Sequence, residues 1–392
     1  MTAKKSLWVI YIIYFLYNLQ VSLGLYINSS FLGEGCNCGI PTNWVGMLFT
    51  LGSLLSIVLI LNIRRLSAWV RSSKRLIALS GVVTIMALLS MTLTRSPWLV
   101  GGVFVLYWGI SYLFLIATDL LVEEYSSDAT TGNTRGVFLS IAGLAVMVAP
   151  FVAGRLAEQE HGFAIIYLLG ALLVMLALGI LLSLGRKLKE PRFQKQPLLP
   201  SLRLFFSNRN LTAAFMSNFL LQVFYSWMVV YTPLYLIETI GLTWTQIGII
   251  FTVMLIPFVV FEVPLGKLAD TRWGEKEITI GGLVLTALAT AALAFITSDS
   301  IYVWMAALFA TRVGASALQV GSESHFFKQV DETHVGAIGI FRQAAPLAFL
   351  VGPLLATLIL SLTQTPLSTL FPILGLLLLV PLPFLARMHD TK

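Results

Sequence analysis

Charge is scarce in this chain. Only 11% of its 392 residues are Asp, Glu, Lys or Arg, while 57% are hydrophobic and the mean hydropathy is +0.88. Soluble domains carry charge on about a quarter of their residues, so a water-exposed globular fold is excluded. Cysteine is almost lacking too: Cys36 and Cys38 are the only two, with one residue between them. That spacing strains a disulfide and supplies two of the four ligands a structural zinc needs. The four histidines, His161, His325, His334 and His389, fall at loops and ends without metal-ligand spacing. No glycine-rich phosphate loop ending in Lys-Ser/Thr occurs, which removes ATP as an energy source. No apolar segment pairs a nucleophile with a base, so an enzyme is not expected, nor is a metal or cofactor.

What is present is apolar sequence in runs of roughly 20 residues, the length at which a helix crosses a hydrocarbon core of about 30 Å. Backbone groups find no other partners in lipid, so the runs predict helices and an all-α membrane protein. Twelve spans are read near 6–28, 42–62, 76–94, 97–122, 136–156, 162–184, 210–237, 243–265, 278–297, 300–322, 335–361 and 366–386. The first is too rich in Tyr, Asn and Gln for a signal-peptide core and is kept as a helix. With the N-terminus cytoplasmic, all but four of the 25 Lys and Arg residues face the cytoplasm. The exceptions are Arg95 and Arg155 at outer positions, and Arg312 and Arg342 inside spans. The positive-inside rule therefore places both termini in the cytoplasm, and basic loops beside a membrane account for the net charge of +7 without nucleic acid. Short loops and the absence of a transit segment suggest a prokaryotic plasma membrane.

The longest polar connection, 186–209, holds Pro191, Pro197 and Pro200 among seven basic residues and divides six spans from six. The expected organisation is an N-terminal six-helix bundle over 1–185, a cytoplasmic linker over 186–209 and a C-terminal bundle over 210–392. The halves repeat. Gly46-Met47-Leu48-Phe49-Thr50 is echoed about 200 positions later by Gly248-Ile249-Ile250-Phe251-Thr252, and Gly136 to Pro150 by Gly339 to Pro353. Parallel repeats of this kind are what transporters rock around a midplane site.

The segment after span eight, Gly266-Lys267-Leu268-Ala269-Asp270-Thr271-Arg272-Trp273-Gly274-Glu275-Lys276, resembles the Gly-x-x-x-Asp-Arg-x-Gly-Arg-Arg/Lys loop of the major facilitator superfamily. The basic residue and second glycine stand one position later than in that pattern. The resemblance implies two pseudo-symmetric six-helix bundles, a monomer, and a cytoplasmic latch formed by Gly266, Asp270, Arg272, Gly274 and Lys276. Gly266 would let helix backbones approach closely, Gly274 would allow the tight turn, and Asp270 would cap or pair. An ordinary interhelical turn with Asp270 as a cap is the alternative. The first-half counterpart, Asn62 to Trp69, lacks the aspartate.

Polar residues inside spans carry the functional information, because a charge at mid-bilayer costs about 2.5–3.5 kcal/mol on insertion scales. In span ten Arg312, Ser316, Gln319 and Glu323 share a face. Arg312 binds an anionic substrate group or forms a fixed pair. Span four presents Trp108, Tyr112, Asp119 and Glu123. Asp119 carries a coupling proton or caps the helix end. Span seven shows Asn218, Gln222 and Tyr225, and span one Tyr14 and Asn18. By resemblance, spans one, four, seven and ten line the central cavity. Glu262 and Arg342 are candidates for a cytoplasmic charge network with Asp270. These features predict a secondary transporter of a small organic solute driven by an ion gradient, expected to be protons. Efflux of amphipathic compounds comes first, uptake of an anionic nutrient or metabolite second, and a non-transporting receptor or scaffold third. The expected partners are the solute and the lipid bilayer.

Overall fold

A computed structural model describes residues 3–36, 38–124, 131–184, 188–189, 205–329 and 340–386. Twelve helices among them are long and apolar enough to cross a membrane. They are α1 (Ala3–Leu25), α2 (Thr42–Leu61), α3 (Ser73–Leu93), α4 (Pro97–Glu123), α5 (Thr131–Ala157) and α6 (Gly162–Leu184). The second six are α7 (Arg209–Glu238), α8 (Trp244–Leu268), α9 (Glu275–Ala292), α10 (Ile301–Gln329), α11 (Ala344–Thr363) and α12 (Leu370–Leu378), the last continued by Leu382–Ala386. Most of the linker lies outside the described residues.

The chain forms two compact units, one of Met1–Gln194 with Thr243–Gly248, the other of Lys195–Leu242 with Ile249–Lys392. Each follows one packing scheme. In unit 1, α1 packs on α4, α5 and α6, while α3 packs on α4 and α6. In unit 2, α7 packs on α10 and α11, and α9 on α10 and α12. The pairs α1–α4, α1–α5, α3–α4 and α3–α6 recur six helices later. The sequence repeat also keeps its register, since Gly46 and Gly248 each stand four residues after the first residue of their helices.

Helix starts are written locally. Ser72 caps α3 by accepting from Arg75 N at 3.3 Å, Pro97 opens α4, and Asn208 caps α7 by accepting from Asn210 N at 3.0 Å. Inside the spans, hydroxyls bond back to their own helix, as Ser80 does to Ile77 O and Ser217 to Ala213 O, which keeps them satisfied without water. Each unit has an aromatic centre. Tyr17 stacks on Phe114 at 3.5 Å in unit 1, and Phe326 on Phe341 at 4.0 Å in unit 2.

A close crossing joins α9 and α10. A Cβ on Gly282 would lie 2.4 Å from Leu318 N, and one on Gly314 would lie 2.6 Å from Thr286 N. Small residues let backbones meet in this way where hydrocarbon gives no other drive to associate.

Two expectations need correction. α1 ends at Leu25 instead of 28, because the chain turns there into a short helix, Asn28–Ser30, and a π-helical turn, Phe31–Gly35. α10 runs to Gln329 instead of 322, so His325 is not at a loop but fully buried within the helix. Cys36 and Cys38, between which the sequence left a disulfide or a metal site unfavoured, are joined in a disulfide with Cα atoms 5.2 Å apart.

Gly282→Leu is expected to destabilise unit 2 by about 1–3 kcal/mol or more through overpacking, read as a fall in melting temperature. Gly281→Leu, one residue away at a position with no atom within 4 Å of a Cβ, should leave it unchanged; equal effects from both would refute the crossing as the cause.

Candidate functional site

Arg312 is the dominant feature of unit 2. It sits near the middle of α10 and is 1% exposed, yet its Nε and Nη1 atoms have no hydrogen-bond partner. Its guanidinium carbon lies 4.8 Å from the ring centre of Phe224 and 5.5 Å from that of Tyr225, both on α7. No carboxylate among the described residues pairs with it. Two ring faces stabilise the cation by about 0.5–2 kcal/mol each, while planar donors aimed into a dry interior remain unused. Such a group favours a planar oxyanion, which takes two parallel N–H bonds.

The residues around Arg312 are neutral. Tyr225 donates its hydroxyl to Gln319 Oε1 at 3.1 Å and lies 6.1 Å from the Phe258 ring on α8. Gln222 donates to Asn218 at 3.5 Å, the loosest bond of the group. Ser316 is turned back to Val313 O at 2.9 Å. The structure thus brings Asn218, Gln222, Tyr225, Arg312 and Gln319 onto the facing sides of α7 and α10. Behind them Trp227 donates to Gly352 O at 2.6 Å and Tyr231 to Pro353 O at 3.1 Å, which fixes α7 against α11. Glu323 and Glu262 are half-buried on α10 and α8, close enough that the charge of Glu262 bears on Glu323. Arg342 is exposed just before α11.

In unit 1, Trp108 is 2% exposed and sealed against α2: it donates to Ser53 Oγ at 3.1 Å, and a Cβ on Gly52 would lie 2.8 Å from it. Its aromatic stripe is packing at that position, not a cavity wall. Tyr14 packs at a tilt against Phe138 of α5 with ring centres 4.0 Å apart, Asn18 is 8% exposed, and Tyr112 and Asp119 are half-buried on α4. The side chain of Glu123 lies outside the described residues.

The loop after α8 is a π-helical turn, Ala269–Trp273, closed by Gly274 N–H to Ala269 O at 3.1 Å. A π turn holds one more residue than an α turn, which accounts for the one-position delay of Arg272 and Gly274 in the sequence pattern. Gly274 has φ +94°, a left-handed conformation that favours glycine. Gly266 plays a different part from the one expected. A Cβ there would meet only Val320 Cγ1 at 3.8 Å, so no close backbone approach depends on it. Arg272 is exposed, and Lys276 donates to Ala386 O at 2.8 Å, tying α9 to the end of α12. The Asp270 side chain lies outside the described residues.

Two groups were missed in the sequence. Glu275, fully buried at the start of α9, forms an ion pair with Lys328 near the end of α10. Its partner is 53 positions away, so nothing local announces the pair. The second group is a polar cluster in unit 1 around Gln20, Asn28, Tyr107 and Tyr167. Its signal was Gln20-Gly24-Asn28 at intervals of four.

Twelve apolar helices in two units, with helix pairings of the first repeated in the second, define a multi-pass membrane fold. The sequence profile of the Major Facilitator Superfamily matches residues 228–392. Among solved structures, the nucleoside transporter NupG superposes with a TM-score of 0.74 at 14% identity, covering 98% of this chain and 99% of its own. A bacterial homologue of the human lysosomal transporter Spinster, solved inward-facing and unoccupied, gives a TM-score of 0.70 at 13% identity, covering 98% of this chain and 95% of its own. No curated protein sequence matches. The fold is that of the major facilitator transporters.

Lys328→Met is expected to cost about 3 kcal/mol, because it strands the buried Glu275 carboxylate. Adding Glu275→Gln should restore most of the loss in thermal unfolding. A single mutant as stable as the parent would show that the pair contributes nothing.

Proposed function

We propose that the chain is a secondary active transporter that carries a small organic anion across the membrane by alternating access. Arg312 carries this reading: a guanidinium buried at mid-span, braced by two aromatic rings and left with two unused donors. A fixed structural cation would be expected to hold a carboxylate. A cation waiting for its partner is what a substrate anion requires, since an oxyanion brings the missing charge and the missing acceptors together. Phe224 and Tyr225 would receive the apolar or planar body of the same molecule, and the weak Gln222–Asn218 bond would open to its polar edge. Unused binding capacity of this kind also gives the solute leverage over conformation, because a ligand shifts an equilibrium only by its differential affinity for the two states.

The solved structures of similar fold include a nucleoside transporter and a homologue of a lysosomal transporter, which supports the movement of small solutes. An ion gradient is the energy source in this reading. The Glu262 and Glu323 carboxylates, interacting across α8 and α10, are the candidate proton carriers. The buried positive charge opposes the efflux of amphipathic cations that the aromatic stripes suggested from sequence.

The test is ligand-dependent thermal stabilisation of the purified protein with panels of organic anions, organic cations and neutral solutes, followed by uptake into proteoliposomes. Organic anions should raise the melting temperature, and Arg312→Ala should abolish both that rise and transport while Arg312→Lys retains part of each. Stabilisation by cations alone, unchanged in Arg312→Ala, would sink the anion reading. Failure of every class would favour a receptor or scaffold.

A further inference from the structure

The polar cluster in unit 1 sits where α1 stops. Gln20, Gly24 and Asn28 follow at intervals of four, so they lie along one side of the chain as it leaves the helix. Gly24 lets the α1 backbone approach the Asn28 amide and the Tyr107 hydroxyl more closely than a methyl group would allow: a Cβ there would be 3.0 Å from Asn28 Oδ1 and 3.3 Å from the Tyr107 hydroxyl. The amides are held from behind. Gln20 donates its Nε2 to Tyr107 at 2.8 Å, and Tyr167 donates to Asn28 Oδ1 at 3.0 Å.

That anchoring leaves specific atoms unused. Gln20 Oε1, Asn28 Nδ2, Ser29 Oγ and Ser30 Oγ are buried without a hydrogen-bond partner. The residues that bear them are sealed, with Gln20 2%, Asn28 0%, Ser29 0% and Ser30 6% exposed. Leaving buried polar atoms unpaired costs about 1–3 kcal/mol each, and here four of them fall within one turn and its approach. The last carbonyls of α1 end in the same buried place, since the backbone breaks after Leu25 and is bridged by Ile27 N–H to Gly24 O at 3.1 Å. A helix C-terminus carries about half a negative charge. Neutral carbonyl and hydroxyl oxygens at the broken end of a membrane helix suit an alkali cation, whereas the cluster has no basic group to hold an anion. The same oxygens are poor ligands for zinc or copper, which select imidazole and thiolate.

We propose that this turn binds a monovalent cation of sodium size, with Gln20 Oε1, the Asn28 carbonyl oxygen, the Ser29 and Ser30 hydroxyls and the terminal carbonyls of α1 as its ligands. Tyr107 holds Gln20 in the orientation that turns its oxygen inward, as outer partners do for metal ligands. A water carried in with the cation accepts from Asn28 Nδ2. The tight approach at Gly24, too close for a methyl group, favours a small ion over potassium. The site lies in unit 1 and does not rest on the anion reading of Arg312.

Thermal unfolding of the purified full chain is measured in sodium, potassium and choline chloride at constant ionic strength, alongside binding of radioactive sodium. Sodium alone should raise the melting temperature in a saturable way, and Asn28→Ala or Gly24→Ala should abolish both the rise and the binding. Gln20→Glu, which places a formal negative charge among the ligands, should tighten apparent sodium affinity at least ~10-fold, from the added Coulomb attraction. Arg312→Ala should keep the full sodium response, which separates this site from the substrate reading. Identical melting temperatures in all three salts would overturn the proposal. So would a sodium response that survives Asn28→Ala, or a Gln20→Glu protein that is merely less stable and blind to sodium, since a purely structural hydrogen-bond network predicts that result.

Discussion

Hydrocarbon offers no hydrogen bonds, and nearly every feature of this molecule is an answer to that fact. It makes each apolar run a helix, turns serine and threonine hydroxyls back onto their own backbone, and leaves helices to associate through shape and not through expulsion of water. The glycine contact of α9 with α10 is the clearest product of that last rule. Where a polar group remains without a partner inside such an interior, the surroundings cannot quietly satisfy it, so its position is informative.

Two buried charged residues of unit 2 show the contrast. Glu275 is sealed at the start of α9 and paired with Lys328, which makes it part of the scaffold of the α9–α10 crossing. Arg312 is sealed just as fully in the middle of α10 but lies against two aromatic rings, with no carboxylate pairing it among the described residues. The first is complete without a ligand; the second has capacity left over. In unit 1 the same distinction separates Trp108, whose indole N–H is spent on Ser53, from Gln20 and Asn28, whose amides are oriented by tyrosines yet keep atoms unused. Each unit therefore carries one candidate binding locus of its own chemistry: cationic beside aromatic rings in unit 2, neutral and oxygen-rich in unit 1.

The loop after α8 shows how a departure in sequence acquires a physical meaning. Its basic residue and second glycine stand one place late, and the π-helical turn over Ala269–Trp273 takes up that one residue before Gly274 swings the chain into α9. The position of Gly274 could be read from sequence because a left-handed backbone needs glycine. Gly266 could not be read in the same way, since whether a glycine serves close approach depends on what lies opposite, and opposite it is only a Val320 methyl.

By itself the sequence determined the class of the protein: helices from run length, twelve of them, in two repeated sets of six, because hydrophobicity and backbone satisfaction are properties of contiguous residues. It also singled out Arg312, since a charge within an apolar run is conspicuous in one dimension. Only the tertiary structure decided which polar groups are spent and which are free. Glu275 finds its partner 53 positions away, Trp108 vanishes into the α2 contact, and Gln20 and Asn28 converge on tyrosines from α4 and α6. Pairing is a relation between distant helices, fixed by packing, and no local pattern of residues encodes it.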